Sequence, residues 1–194
     1  MSLLLQSDLS SANKSKAITS LTNDIDDSKK LLASVENFIS GSTEHLKGES
    51  FDAVRTHMQV YVDALNKRIN CAENMIAAIK SANSTMTSFM DGESKLDTSE
   101  TETVRNQMTA YNSAANSYLG RYNNYDSVVE RISRESLYNL YNEALGNAKK
   151  KEKILKLLEQ LDSKDAATLA TLNSSTDDVS SFKTAVGSIS SIKV

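Results

Sequence analysis

Not one proline occurs in 194 residues, and that absence constrains the fold more than any motif in the chain. Proline lacks the backbone donor that a helix interior needs, and its ring clashes with the preceding turn. Nothing here obliges a helix to stop, so an all-α fold is the expectation. With 39% hydrophobic and 24% charged residues, the chain has the makings of a folded domain of ordinary size, not of collagen, a disulfide scaffold or a disordered acidic tail. The formal charge is −3 with the two signs interspersed, which provides no broad electrostatic footprint for nucleic acid or an anionic membrane.

Hydrophobic spacing divides the chain into helices. Ile18, Leu21, Ile25, Leu32, Val35, Phe38 and Ile39, with Ser28 on the same stripe, follow the alternating three-and-four spacing of a coiled-coil seam and predict one helix over about residues 8 to 40. Ser40-Gly41-Ser42-Thr43 then offers a glycine for a left-handed C-cap and hydroxyls to cap the next helix. A second stripe runs through Phe51, Val54, Met58, Tyr61, Leu65, Ile69, Ala72, Ile76, Ile79, Met86 and Phe89. A helix of that length would measure about 60 Å, longer than a compact domain of this size is wide, so an elongated bundle of long helices is expected.

Asp91-Gly92 reads as a turn, and Ser99-Glu100-Thr101-Glu102 as a capping box opening a third helix. Its stripe uses Val104, Met108, Tyr111, Ala115, Tyr118, Tyr122, Tyr125, Val129 and Ile132. Leu137, Tyr138, Tyr141 and Leu145 continue in phase, so that helix either persists with a kink or restarts near Ser133. Lys149-Lys150-Lys151 and Lys153 form the solvated side of an amphipathic helix whose other side carries Ile154, Leu157, Leu158 and Leu161. From Asp162 to Val194, apolar residues at Leu169, Leu172, Val179, Phe182, Val186, Ile189 and Ile192 stand among many Ser and Thr, a weak helical pattern. No long linker separates two cores, which favours a single helical domain over residues 1–194.

Chemistry-bearing clusters are scarce. His45 and His57 lie twelve positions apart, Cys71 stands alone, and the adjacent Asp26 and Asp27 point to different sides of a helix. Neither a zinc spacing nor a phosphate loop, nucleophile elbow or H-E-x-x-H is present. The expectation is no enzyme, no cofactor and no metal. Cys71 sits in an apolar-periodic run and reads as a small buried hydrophobe. Met1 to Asp8 has no basic region and only three consecutive leucines, so a secretory signal peptide is not expected, and no stretch of about 18 residues is free enough of charge to span a bilayer.

One short motif sits where the first two helices meet: Glu44-His45-Leu46-Lys47-Gly48-Glu49-Ser50-Phe51. Leu46 offers an apolar plug for the open end of a helical hairpin, and Gly48 permits a positive-φ backbone before the second helix. With a heptad-rich helix before it, a phenylalanine and an apolar series after it, and Glu152 to Asp162 as a closing segment, the chain resembles the LXG domain. LXG domains are the N-terminal delivery modules of polymorphic toxins exported by the type VII secretion system of Gram-positive bacteria. The resemblance covers essentially the whole chain and implies an N-terminal hairpin like that of WXG100 proteins. It further implies export without a signal peptide, binding to small helical WXG100-like partners, recognition of that complex by the secretion machinery, and a following toxin domain that these 194 residues do not include.

Seams this long also carry more apolar surface than a short intrachain bundle covers, and uncovered stripes of that kind mark helix-binding sites. Ile18, Leu21, Ile25, Leu32 and Val35 of the first helix and Val54, Met58, Tyr61 and Leu65 of the second are the candidate partner-binding residues, each equally usable in packing within the chain. Tyr122 and Asp126 have the spacing of the Y-x-x-x-D/E export motif of type VII substrates and, at i and i+4, would share a helix face. Two other classes compete with the targeting role. A self-associating coiled-coil scaffold would use the same seams, and a pore-forming toxin would need a long apolar hairpin that this sequence lacks.

Overall fold

The computed structural model describes residues 3–174 and 176–190, with 7–11, 174, 176–178 and 188–190 described in backbone only. In chain order it comprises strand β1 (Leu4–Gln6), helices α1 (Ser7–His45) and α2 (Glu49–Met90), strand β2 (Lys95–Asp97), a 3-10 turn (Thr98–Glu100), and helices α3 (Thr101–Asn123), α4 (Arg134–Ser174) and α5 (Thr176–Ser190). The class is all-α, and α1, α2 and α4 reach 39, 42 and 41 residues. Although the sequence favours a single domain, contacts within the chain gather into two compact units. One is Asp8–Ser88 with the chain from Ala166 onward, and the other is β1 with Phe89–Asp165.

In the first unit α1 and α2 form an antiparallel hairpin. Ile25 of α1 packs with Ile69 and Ala72 of α2, flanked by Leu21, Leu32 and Ile76, which is the seam that the three-and-four spacing predicts. Ser28 lies buried on it. Two cross-helix ion pairs run beside the seam, Lys29 to Glu73 at 3.4 Å and Arg68 to Asp24, where Nε donates to Oδ2 at 3.1 Å.

The chain does not turn at Ser40–Thr43, as the sequence suggests. The hydroxyls of Ser40, Ser42 and Thr43 donate back to the carbonyls of Asn37 and Ile39 at 2.8–3.2 Å. Bonded to their own helix, they are not available to cap another. Helix α1 therefore passes through Gly41 to His45, which brings Ser42 into a buried position. Reversal falls instead at Leu46–Gly48, where Gly48 adopts φ +120°.

The second unit begins with a feature the sequence does not announce. Strands β1 and β2 pair antiparallel, with Leu5 opposite Leu96. The Leu3 amide donates to Thr98 Oγ1 at 2.8 Å while the Thr98 amide donates to the Leu3 carbonyl at 3.0 Å. Leu96 is almost fully enclosed. The turn expected at Asp91-Gly92 is present, with φ of +48° and +87°.

The expected capping box does not form. Asp97 Oδ1 accepts from both the amide and the hydroxyl of Ser99, at 3.0 and 2.6 Å, and so caps the 3-10 turn. Ser99 is thereby committed one turn too early, and α3 starts with Glu100 at its N-cap and no side-chain cap bond. Helices α3 and α4 then run antiparallel, joined by an Arg105 to Glu159 pair at 3.1 Å. Val104 and Ala115 of α3 and Leu137, Ala144, Ala148 and Leu155 of α4 are buried.

Between them, residues 124–133 leave the helix, and Ser133 restarts it by accepting the Ser136 amide at 3.1 Å. The stripe drawn through Tyr125, Val129 and Ile132 is therefore not helical, and Val128 and Val129 stand 91% and 76% exposed. The weak helical pattern after Asp162 is realised as the end of α4 and as α5. The Ile189 side chain and all of Ile192 lie outside the described residues.

Candidate functional site

At the closed end of the α1–α2 hairpin, the turn is built from three parts. The Leu46 amide donates to the Ser42 carbonyl at 2.9 Å, continuing the helical pattern past the last residue of α1. Gly48 supplies the positive φ, and its carbonyl accepts from the amides of Phe51 and Asp52 at 3.0 and 3.1 Å to open α2. Arg55 closes the arrangement from the side. Its Nη1 donates to the carbonyls of Ser42 and Leu46 at 3.2 and 2.9 Å, and Nη2 bonds Asp52.

Carbonyls at a helix C-terminus carry partial negative charge, and Ser42 and Leu46 present theirs to Arg55. A largely covered guanidinium is well matched to them, because Nη1 serves both carbonyls while Nη2 is held by Asp52. Sequence reasoning singled out Leu46 and Gly48 and missed Arg55. The available signal was that Arg55 is the sole Lys or Arg between Lys47 and Lys67.

The nine candidate partner-binding residues fall into three groups. Ile25 and Leu65 are buried within the hairpin unit, and so serve packing inside the chain. Ile18, Leu21, Leu32, Val35 and Met58 are half-buried. Val54 and Tyr61 are exposed, and they share one face of α2 with exposed Phe51. On α1, Leu31 and Phe38 are 52% and 43% exposed at a spacing of seven. Two apolar stripes therefore flank the seam, and Leu31, off the predicted stripe, could be found only once the seam's true phase was visible.

Helix α5 lies against the middle of the same hairpin. Phe182 and Val186 face a largely apolar cavity of about 350 Å³ with Leu31 and Val35 of α1 and Met58, Tyr61 and Leu65 of α2. A second cavity, about 390 Å³, is lined by Val179 and Phe182 with Leu21, Cys71, Ala72 and Met75. Cys71 is buried. Arg68 borders both spaces, its charge held by Asp24, whose hydrogen bond keeps the guanidinium protonated beyond its ordinary range. Nearer the turn, Phe38 and Leu46 border an open hollow with Gly41 and Ser42.

The second candidate signal is not assembled as expected. Tyr122 lies in the last turn of α3, but Asp126 is beyond the helix end, so the two do not share a helix face. Asp126 Oδ1 instead accepts the Val128 amide at 2.8 Å, an Asx turn that a short side-chain carboxylate favours over helix. Tyr122 packs at a tilt against Tyr138, centroids 5.4 Å apart, and lies under the Arg134 guanidinium at 4.6 Å.

Among the described residues, no three His, Cys, Asp or Glu are grouped to hold a metal ion. His45 is exposed and His57 half-buried in α2. No helix among the described residues is long and apolar enough to cross a membrane. Compared with protein-family models, curated proteins and solved structures, the chain matches none.

Proposed function

We propose that this chain is an export-targeting and partner-binding domain of the LXG kind, which docks small helical WXG100-like proteins on its α1–α2 hairpin and is carried with them to the type VII secretion machinery. It acts by contact and not by catalysis, and it is made in the cytoplasm and exported without a signal peptide. The observation that supports this reading is the pair of exposed apolar stripes, Leu31 and Phe38 on α1 and Phe51, Val54 and Tyr61 on α2. A partner helix laid along them would bury apolar side chains at i, i+3 and i+7 positions, the usual terms of helix-in-groove recognition. The Leu46–Gly48 turn sets the angle at which the two stripes are presented.

Co-expression with a small helical protein encoded beside the chain tests the reading. The expected result is a stable complex, lost when Phe38 and Tyr61 are both changed to Ser, and export lost when Leu46 and Gly48 are replaced together. A complex indifferent to the F38S/Y61S change, or undiminished export of the turn variant, would overturn it. The competing reading, a coiled-coil scaffold, predicts a discrete homo-oligomer of the isolated chain by light scattering.

A further inference from the structure

The α1–α2 stripes are not equally free along their length. Near the turn, Phe38, Phe51 and Val54 are open, whereas farther along α5 lies over Val35, Met58 and Tyr61. A foreign helix that lands at the open end and continues along the stripe meets α5 within a few turns. The geometry points to α5 as a built-in stand-in for a partner helix, an intramolecular latch that occupies the groove and must lift before a partner can lie along its full length. This rests on the docking role proposed above.

Three properties of α5 fit a part made to leave. Its apolar face is short, Val179, Phe182 and Val186 with buried Ala185. Phe182 borders two hollows of about 350 and 390 Å³, each partly open to solvent, whereas a committed core is close-packed on all sides. Side-chain faces that meet solvent instead of protein forgo packing contacts, so α5 is held on part of its surface alone. Finally, α5 has 15 residues, among them Ser180, Ser181, Thr184 and Gly187. A helix of that length and composition is marginal in water, so a detached α5 would unravel and slowly compete for its seat. Elements with few buried apolar contacts open far more often than the core beside them.

Two measurements on the full chain test the latch. By amide hydrogen exchange, residues 179–187 should exchange at least about 100-fold faster than 62–72 of α2 through local opening, and equal protection of the two segments would overturn the proposal. As a probe, a fluorescent synthetic peptide of residues 176–190 should bind the F182S/V186S variant at least about tenfold more tightly than the unaltered chain, because the groove is then vacated. Equal binding to both, or none to either while circular dichroism shows the variant folded, would overturn the latch. Failures of the two readings stay separate. Peptide exchange with no helical partner retained would sink the docking role alone, and partner affinity unchanged by F182S/V186S would sink the latch alone.

Discussion

Two glycines of the hairpin make opposite demands on the backbone. A Cβ at Gly41 or at Gly48 would meet nothing within 4 Å, so neither position is reserved for glycine by crowding. Gly41 lies inside α1 and only weakens it, and Gly41→Ala should stabilise the protein by about 0.5–1 kcal/mol. Gly48 holds φ +120°, a conformation that strains any L side chain, and Gly48→Ala should cost about 1–3 kcal/mol. Urea denaturation of the pair checks both signs at once. Arg55 belongs to the same scale. Lysine has no second nitrogen to hold Asp52 while the first serves the Ser42 and Leu46 carbonyls, so Arg55→Lys should cost about 1–2 kcal/mol in the same assay.

Among the elements, the α3–α4 connection is braced by an ion pair between Arg121 and Glu130. Arg121 Nε donates to Glu130 Oε1 at 2.9 Å, and the Glu130 side chain is largely covered. That hydrogen bond holds the Glu130 carboxyl below its ordinary value of 4.5. A depressed carboxylate contributes stability that is whole above the unfolded value and lost as pH falls through the folded one. Amide protection over 124–133 should therefore fall as the solution is acidified below pH 4.5, and Glu130→Gln should remove that dependence. In the core between these helices, Leu137 is 0% exposed, and Leu137→Ala should cost about 2–5 kcal/mol by thermal or urea unfolding. The helices themselves were legible because buried positions recur with the helical period, as Leu65, Ile69 and Ala72 do. Their ends were not, since an end depends on which partner a hydroxyl or carboxylate finds. Ser42 and Ser99 look like caps in the sequence, yet one bonds its own helix and the other serves Asp97. Strands of three residues such as β1 and β2 are too short to show alternation, and their pairing joins positions about ninety residues apart.

For the molecule as a whole, the candidate site was half legible. Spacing found the seam and the Leu46–Gly48 turn, but it could not separate residues that pack within the hairpin, such as Ile25 and Leu65, from those that face outward, such as Tyr61. That distinction depends on how α1 rotates about its own axis, which one stripe read by itself leaves open. It also could not foresee that Val179 and Phe182 would come to rest over Cys71, more than a hundred residues earlier in the chain. That last placement has a practical use. The protein has one cysteine, buried beside a hollow whose roof includes Val179 and Phe182 of α5. Alkylation by a small thiol reagent then works as a stopwatch, whose rate reports how often the roof comes off without any engineered label.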